Sequence, residues 1–508
     1  MAYFIGIDLG TSATKTVLFD EKGTAISSSS YEYPLFQPQN GWAEQNPEDW
    51  YTAAISTLKS VVESSGVSAD EILSIGISGQ MHGLVMLDEE CNVIRPSILW
   101  CDQRTGRECD ELTQKLGTDT LISVTANPAL TGFTASKILW VKKNEPENFA
   151  KCRHILLPKD YLRFRLTGEF ATEVSDASGM QLLDVPNRKW SDIMIDALGI
   201  KKEYLAKVYE SPEITGYINK ETSEKTGLST ETSVVGGAGD NAAAAVGMGV
   251  VTEGKAFTTI GTSGVVFAHT DNPVIDPEGR VHTFCCAVPG AWHVMGVTQG
   301  AGLSMQWFKN NFCCEESKQA ETENKDVYQI TDSKAKEINI GCDKLVYLPY
   351  LMGERTPHLD PDCRGVFFGI SAMHTKAHFL RAILEGVTYS LYDCLIVLKE
   401  MGINPQSMLL CGGGSKSKLW KKMICDTFAL PVETAKSSDA AALGVAILAA
   451  VGSGTYSSVS EACNAMIPSV SERLLPDTDN TEAYRKYYNV YSSLYSSLKL
   501  NYKSLAEI

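Results

Sequence analysis

Short apolar runs separated by turn sequences fill the N-terminal part of the chain. Residues 4–7 and 16–19 predict two strands joined by a turn, and residues 72–77 predict another short, buried strand. Between them, Asn46 followed by Pro47 and acidic residues predicts the start of a helix, which apolar residues at helical spacing continue. Strands that alternate with helices indicate an α/β fold whose sheets are largely covered.

The chain changes character in its middle. Residues 219–232 are polar and loop-like, and a glycine-rich segment at 236–241 leads into an alanine-rich helix. We expect a domain boundary just after this helix, near Val251. This boundary gives an N-terminal domain of residues 1–250 and a C-terminal domain of residues 251–508.

Three other segments have patterns that indicate structure rather than chemistry. Residues 313–338 are polar and predict surface helix and loop. Tyrosines at helical spacing within residues 484–508 predict a docked terminal helix. The longest run of small apolar residues, 440–452, is well short of the roughly 20 residues that a membrane-spanning helix needs.

An internal repeat is the first specific clue. Gly10-Thr11-Ser12 and Gly261-Thr262-Ser263 each lie between apolar, β-branched segments, one in each half of the chain. Two such hairpins suggest two related domains that face each other. The alternative is a chance match of common turn residues.

Composition and charge exclude several classes of function. The 508 residues are 44% hydrophobic and 21% charged, as in an ordinary globular protein. The net charge of −16, without a basic cluster, argues against nucleic acid or an anionic membrane surface as a partner. The 14 cysteines form no C-x-x-C pair, and the N-terminus has no export signal, so we expect free thiols and a cytoplasmic location.

Several glycine-rich segments could hold phosphate groups. Glycine lets the backbone approach a ligand closely, and Lys15 follows the first turn within reach of a phosphate. The chain has no G-x-x-x-x-G-K-[ST] motif. A third cluster, residues 412–414, lies between a predicted strand and a predicted helix, which fits either a nucleotide site or a packing turn.

The segment at residues 237–242 matches the dinucleotide-binding pattern G-x-G-x-x-A, which would indicate a dehydrogenase. The expected second strand with its acidic end is missing, because the chain enters the second hairpin after Val251. A carboxylate inside the loop, Asp240, would also repel a pyrophosphate. Two explanations of Asp240 stay open: a helix N-cap, or a carboxylate presented to a substrate.

Two more loops contain candidate functional residues. Asp8 ends the first strand beside a predicted phosphate turn, where a carboxylate suits Mg²⁺. Gln80, Met81 and His82 follow a buried strand, and together with Trp100 they could bind a polyol by stacking and hydrogen bonding. The alternatives are an ordinary turn aspartate and a structural histidine.

Taken together, these residues resemble the FGGY family of carbohydrate kinases. The resemblance runs from about Phe4 to about Val451. It rests on ordered blocks at residues 5–15, 76–83, 98–105, 132–147, 156–170, 236–247, 261–264, 348–358 and 365–370.

The resemblance implies two actin-like (ribonuclease-H-like) ATPase domains with a catalytic cleft between them. ATP would lie in the cleft with Mg²⁺, its phosphates between the two hairpins and its adenosine against the glycine cluster. Asp240 would be the catalytic base, and Asp8 would serve the metal and the phosphates. The implied nucleotide contacts are Thr11, Ser12, Lys15, Gly261, Thr262, Gly300, Gly412, Gly413, Gly414 and Ser417.

On the sugar side, Met81 and His82 match the members that phosphorylate D-xylulose to D-xylulose 5-phosphate, whereas glycerol-specific members have Arg-Glu at this place. Gln80, Trp100, Asp102 and Asn241 are weaker candidate contacts. Other substrates to be weighed are ribulose, gluconate and glycerol, and a different class is an actin-type or chaperone-type ATPase. The family makes a homodimer plausible.

Overall fold

Two seven-stranded sheets organise the chain in the computed structural model, which describes residues 1–434, 439–467 and 472–508. The strands are β1 (Tyr3–Leu9), β2 (Ala13–Asp20), β3 (Ala25–Glu32), β4 (Glu44–Gln45), β5 (Ile72–Gly79), β6 (Val85–Leu87), β7 (Ser97–Ile98), β8 (His154–Leu156), β9 (Ala171–Glu173), β10 (Leu183–Asp184), β11 (Lys189–Trp190), β12 (Lys207–Tyr209), β13 (Ile214–Tyr217), β14 (Ser233–Val235), β15 (Ala238–Gly239), β16 (Lys255–Ile260), β17 (Gly264–Thr270), β18 (His282–Cys285), β19 (Trp292–Thr298), β20 (Val346–Leu348), β21 (Val366–Phe368), β22 (Ser407–Cys411), β23 (Val432–Thr434) and β24 (Glu472–Leu474).

Helices cover these sheets and connect their strands. They are α1 (Pro47–Ser65), α2 (Gly106–Leu116), α3 (Thr118–Thr125), α4 (Thr134–Asn144), α5 (Pro146–Lys151), α6 (Pro158–Thr167), α7 (Val174–Ser178), α8 (Asp192–Leu198), α9 (Lys220–Thr226), α10 (Asp240–Gly247), α11 (Gly302–Phe312), α12 (Cys314–Glu323), α13 (Val327–Lys336), α14 (Lys376–Glu400), α15 (Lys418–Phe428), α16 (Ala440–Gly452), α17 (Val459–Met466) and α18 (Thr478–Ala506).

The first sheet is built around strand β1. This strand is antiparallel to β2 and parallel to β5, and the strand order is β13-β14-β5-β1-β2-β3, with β15 also paired to β5. The strands predicted from the first apolar runs are therefore confirmed. The predicted helix after Asn46 is confirmed as α1. Asn46 caps this helix, since its side chain accepts a hydrogen bond from the Glu48 N–H.

The second sheet repeats this topology. Strand β16 is antiparallel to β17 and parallel to β22, and the order is β18-β19-β17-β16-β22-β23-β24. Strands β1, β2, β3 and β5 thus correspond to β16, β17, β19 and β22. The internal repeat of the sequence is a repeat of topology, and the expected fold of two related α/β domains is confirmed.

Glycines let helix α16 lie directly on the first sheet. Gly6 and Gly76 are paired neighbours in β1 and β5. A Cβ atom on Gly6 would lie 1.9 Å from the Ala442 carbonyl oxygen, and one on Gly76 would lie 2.0 Å from that of Val445. The small-residue run of 440–452 therefore packs its backbone against the sheet, a contact that side chains would prevent.

This packing qualifies the expected domain division. Helix α16 belongs to the C-terminal part of the sequence, yet it shares one buried cluster with Phe4 and Val17 of the first sheet. We keep 1–250 and 251–508 as the proposed domains, with α16 as the segment that links the second to the first. Within the described residues, no helix combines the length and the apolar character needed to cross a membrane.

The two remaining predicted helical segments are also confirmed. Helices α12 and α13 occupy the polar segment, and α18 forms the C-terminal helix. Tyr484, Tyr491 and Tyr495 of α18 are buried in the core of the second sheet's domain. Docking of this helix follows from its apolar stripe.

Candidate active site

Asp8 and Asp240 lie at the same edge of the first sheet. In the strand register, Asp8 of β1 and Ala238 of β15 both pair with Ser78 of β5. Asp240 follows two residues later as the first residue of α10. Because these strands are parallel, their carboxyl ends meet at one edge, which is where open α/β sheets bind ligands.

Burial and neighbouring charge raise the pKa of both carboxyl groups. Burial is the largest cause at Asp240, and the negative charge of Asp8 adds to it, so that the pKa of Asp240 rises to about 6. Burial likewise raises the pKa of Asp8, and the charge of Asp439 adds to the effect. With a pKa of about 6, Asp240 is mainly ionised at neutral pH and can accept a proton.

The hydrogen bonds of Asp240 leave one of its oxygens available. Oδ1 accepts from the backbone N–H of Asn241 at 2.7 Å and from its side-chain amide at 3.0 Å. Among the described residues, Oδ2 has no hydrogen-bond donor. The N-cap of α10 is Gly239 rather than Asp240, and no side chain caps this helix. Asp240 is therefore the first helical residue rather than the N-cap, although its carboxylate accepts a first-turn N–H of α10, and Asn241 orients that carboxylate.

The turn of the first hairpin presents Thr11, Ser12 and Lys15. Gly10 closes this turn by donating its N–H to Ala13 O at 3.0 Å, and Ser12 is exposed at its tip. Lys15 pairs with Asp8 in the strand register, and its ammonium forms an ion pair with Asp439, just before α16. Asp439 was not predicted from sequence, since 424 positions separate it from Lys15.

Two predicted sugar contacts lie beside this turn. Trp100 donates its indole N–H to Thr11 Oγ1 at 3.0 Å, although its side chain is 46% exposed. Gln80 is buried, and its amide N–H₂ donates to Gln45 Oε1 at 3.0 Å. Gln80 Oε1 is buried without a hydrogen-bond donor among the described residues. Gln80 also donates to Gly10 O at 3.4 Å, so both side chains are hydrogen-bonded to the first turn.

His82 is held as a neutral imidazole. Its Nδ1 lies 2.8 Å from the Gly179 carbonyl oxygen, which can only accept, so Nδ1 donates and Nε2 is left as an acceptor. Burial, assisted by the charge of Lys137, lowers the pKa of His82 to about 3. Met81 is buried against Gly239, where a Cβ would lie 2.9 Å from Met81 Sδ.

Lys137, which sequence reasoning did not select, fixes the loop that contains His82. Its buried ammonium donates to His82 O at 2.8 Å and to Gly132 O at 2.5 Å. Burial lowers the pKa of Lys137 to about 7. These bonds support a left-handed backbone at His82, whose φ is +68°. Lys137 is therefore a positioning residue.

Asp102 does not contact the cleft in this structure. Its side chain is fully buried, and its carboxylate accepts from the Arg104 guanidinium and from the Ala43 N–H at 2.7 Å. Arg104 in turn stacks on Trp42, with 3.7 Å between the guanidinium carbon and the ring centroid. The geometry therefore gives Asp102 a structural role and does not favour the predicted direct sugar contact.

The second hairpin borders a cavity of about 430 Å³. The predicted nucleotide residues that line this cavity are Gly261, Thr262, Gly413, Gly414 and Ser417. Ser417 caps α15 by accepting from the Trp420 N–H at 3.0 Å. A cavity of this size, bordered by glycine backbone and by aromatic side chains such as Tyr328 and Trp420, suits a nucleoside.

Gly300 and Gly412 are not part of the cavity lining. A Cβ atom on Gly300 would lie 1.8 Å from Pro349 O, and one on Gly412 would lie 2.7 Å from Ile260 O. Gly412 also has a φ of +81°. Close packing and a left-handed turn therefore account for these glycines, and their nucleotide contacts stay predictions.

Sequence reasoning missed one whole wall of the cavity. Helix α13 and the residue before it contribute Asp326, Tyr328, Gln329 and Asp332, in the segment predicted as surface helix and loop. Burial raises the pKa of Asp332. A single sequence marks these residues only as polar, because their contribution depends on how α13 docks.

The fit of Mg²⁺ to the site depends on the nucleotide. Among the described residues, no group of three or more His, Cys, Asp or Glu side chains could hold a metal ion. Mg²⁺ commonly binds through one or two carboxylates together with phosphate oxygens and water. Asp8, with its raised pKa and carboxylate neighbours, fits such a partial site.

Two related α/β domains, with carboxylates at one sheet edge and a glycine-lined cavity, form the arrangement of a phosphotransferase. Family comparison makes this assignment specific. The N-terminal domain of the FGGY family of carbohydrate kinases matches residues 3–247, and its C-terminal domain matches residues 256–453. The chain therefore belongs to the FGGY family of carbohydrate kinases.

Individual relatives are similar over nearly the whole chain. A xylulose kinase of Bacillus subtilis (strain 168) is 40% identical over 98% of each chain. A crystal structure of a xyloylose kinase from Brucella ovis is 35% identical, has a TM-score of 0.90 and covers 98% of this chain and 99% of its own. A gluconokinase of Bacillus subtilis (strain 168) is 31% identical over 100% of this chain and 98% of its own.

Proposed function

We propose that the protein is an ATP-dependent xylulokinase that converts D-xylulose to D-xylulose 5-phosphate. The xylulose kinase relative has higher identity than the gluconokinase relative, 40% against 31%. Met81 and His82, which the family resemblance associates with D-xylulose, line the edge at which Asp240 lies. The proposal places the reaction in the cytoplasm, where ATP is available.

The observation that supports this proposal most strongly is the setting of Asp240. One carboxylate oxygen is fixed by Asn241, and the other has no donor among the described residues. The same edge holds Asp8, the first turn and the loop of Gln80 to His82. A substrate hydroxyl bound by that loop would therefore lie next to a carboxylate that can accept its proton.

The proposed reaction follows from this arrangement. The oxygen of the terminal hydroxyl of the sugar attacks the γ-phosphorus of ATP, the bond to the β-phosphate oxygen breaks, and the hydroxyl proton passes to Asp240. Phosphoryl transfer has a loose transition state, so holding the two oxygens in line matters more than a strong base. A general base of this kind contributes roughly 10²–10⁴-fold.

The nucleotide would occupy the cavity beside the second hairpin, with its phosphates directed toward the turn of the first. Thr11, Ser12 and Lys15 would bind those phosphates, and Asp8 would hold Mg²⁺ on them. Bound Mg²⁺ neutralises phosphate charge that would otherwise repel Asp8 and Asp240. Closure of the two domains over the sugar would exclude water as a competing acceptor.

A substrate panel tests the proposal. Purified protein is given ATP and Mg²⁺ with D-xylulose, D-ribulose, gluconate or glycerol, and ADP release gives kcat/KM for each. We expect D-xylulose to have the highest value and the product to be the 5-phosphate by phosphorus NMR. A higher kcat/KM for gluconate or glycerol would contradict the proposed substrate, and sugar-independent ATP hydrolysis unchanged in Asp240→Asn would contradict the proposed class.

A further inference from the structure

Arg355 is presented by a rigid loop that follows β20. On one side of it, the buried carboxylate of Glu354 accepts from Thr298 Oγ1 at 2.7 Å and from the Gln299 N–H at 2.9 Å. On the other side, Thr356 donates its N–H to β19 at 3.0 Å, and its hydroxyl accepts from β19 at 3.1 Å. The backbone on both sides of Arg355 is therefore fixed, so the base of its side chain has one position.

The guanidinium of Arg355 has no hydrogen bond or ion pair to any of the described residues. Two arginines with buried side chains do have ion-pair partners: Arg104 pairs with Asp102, and Arg163 pairs with Asp160. Burial lowers the pKa of Arg355, and the negative charge of Glu354 opposes this shift. The Arg355 side chain is half-buried rather than fully buried. Its guanidinium donors are therefore available to a ligand that accepts hydrogen bonds.

The guanidinium lies across the domain boundary, beside the sugar-side loop. Its Nη2 would be 4.0 Å from a Cβ atom built on Gly132. Its charge lowers the pKa of His82 in the first domain and of His282 in the second. Because Lys137 donates to both Gly132 O and His82 O, Arg355 lies beside the loop that contains His82.

The groups around this guanidinium are complementary to hydroxyl oxygens. His82 presents Nε2 as an acceptor, as its bond to Gly179 requires. His282 Nδ1 lies 2.8 Å from Asn127 Oδ1. The amide N–H₂ of Asn127 donates to Thr125 O and Thr283 O, so its Oδ1 is the acceptor and His282 Nδ1 is the donor. His282 Nε2 is thus also an acceptor. A hydroxyl can donate to either imidazole while it accepts from the guanidinium.

We propose that Arg355 is a specificity-determining residue that donates hydrogen bonds to the oxygens at the non-reacting end of the sugar. For D-xylulose these are the C2 carbonyl oxygen and the C1 hydroxyl, while the C5 hydroxyl lies at Asp240. The inference rests on the proposed function. Its basis is the unpartnered guanidinium beside Gly132, whose carbonyl oxygen shares the Lys137 ammonium with His82 O. The planar fork of donors suits two neighbouring oxygens.

The test compares D-xylulose with 1-deoxy-D-xylulose, which lacks the C1 hydroxyl, in the wild type and in Arg355→Met. We expect Arg355→Met to raise KM for D-xylulose roughly 10- to 150-fold, the range for losing a charged hydrogen bond, with kcat changed less than about threefold. The wild-type preference for D-xylulose over the deoxy sugar should disappear in this variant. Arg355→Lys keeps a hydrogen-bond donor, so its KM should lie between those of the wild type and Arg355→Met.

Controls separate binding from structure and from the proposed function. Arg364→Met removes an exposed arginine that donates only to backbone carbonyls nearby, and it should leave both sugars unchanged. A preference for D-xylulose that persists in Arg355→Met, or a loss in kcat alone, would overturn the inference. If the wild type instead prefers gluconate, the proposed function fails. In that case the wild type and Arg355→Met are compared with gluconate and with glucitol, which lacks the carboxylate. A preference for gluconate over glucitol that is the same in both proteins would again overturn the inference.

Discussion

The central hairpins of the two domains share a topology and a Gly-Thr-Ser turn, yet their chemistry differs. In the first sheet Asp8 pairs with Lys15, whereas at the corresponding place in the second sheet Thr259 pairs with Val265. The first hairpin thus presents charge to the site, and the second presents backbone and a cavity. The duplicated fold supplies two turns of similar shape, and the residues beside each turn decide which part of the reaction it serves.

The two sheets also differ in how they are covered. Gly6 and Gly76 pair at the centre of the first sheet and admit the backbone of α16. The corresponding pair in the second sheet is Phe257 and Leu409, whose side chains fill a cluster with Phe267. Close backbone packing fixes the edge that contains the carboxylates, and it depends on glycine.

The largest effect is expected from Asp240→Asn. This change removes the proposed base from the edge of the first sheet and preserves the shape of the side chain. We expect kcat to fall about 10³-fold, within the usual range for a general base. Sugar affinity by calorimetry should change less than about threefold, because Asn still fills the position. Complete loss of sugar binding would show that Asp240 mainly binds or folds.

Next in size is the difference between Asp8→Asn in the first hairpin and Thr259→Val in the second. Asp8→Asn should lower kcat about 10²-fold, whereas Thr259→Val should lower it less than about threefold.

In the wild type, kcat should fall as the pH drops through about 6, since Asp240 is then protonated. Removing the charge of Asp8 lowers the pKa of Asp240, so this acid limb should move to lower pH.

Equal losses in the two hairpin variants would contradict the assignment of charge to the first hairpin alone. An acid limb that stays in place in Asp8→Asn would show that Asp8 does not influence the base. The pH profile is measured with saturating sugar and ATP, so that it reports on the complex.

Gly6→Ala tests the packing difference. Its Cβ would lie 1.9 Å from a backbone oxygen, so we expect a loss of about 3 kcal/mol in the free energy of unfolding, at the upper end for an overpacked site. Gly106→Ala is the matched control, because nothing lies within 4 Å of a Cβ there. Urea denaturation measures both, and a similar small change in the two variants would refute close packing at Gly6.

The local parts of this site could be predicted from sequence, and the long-range parts could not. The hairpins, Asp8 and Asp240 follow from short patterns whose geometry is set by neighbouring residues. The Lys15–Asp439 ion pair joins residues 424 positions apart, and the wall formed by α13 depends on docking. Asp102 shows the converse: the family resemblance implied a sugar contact, but a nearby arginine, Arg104, binds its carboxylate.

A small effect on sugar binding is expected from Trp100→Phe. This change removes the hydrogen bond between the indole and Thr11 Oγ1 and keeps an aromatic ring beside the site. We expect KM for the sugar to rise about fivefold, consistent with about 1 kcal/mol for one neutral hydrogen bond. Steady-state kinetics measure this rise in KM, and Trp190→Phe, which changes a tryptophan outside the site, is the control. Equal changes of KM in the two variants would contradict a role of Trp100 in the sugar site.

The most direct test of the central claim is a crystal structure with D-xylulose and a non-hydrolysable ATP analogue. The account predicts that the C5 hydroxyl oxygen of the sugar lies within about 3.2 Å of an Asp240 carboxylate oxygen and faces the γ-phosphorus. A sugar bound elsewhere, or an Asp240 side chain turned away from the C5 hydroxyl, would contradict it.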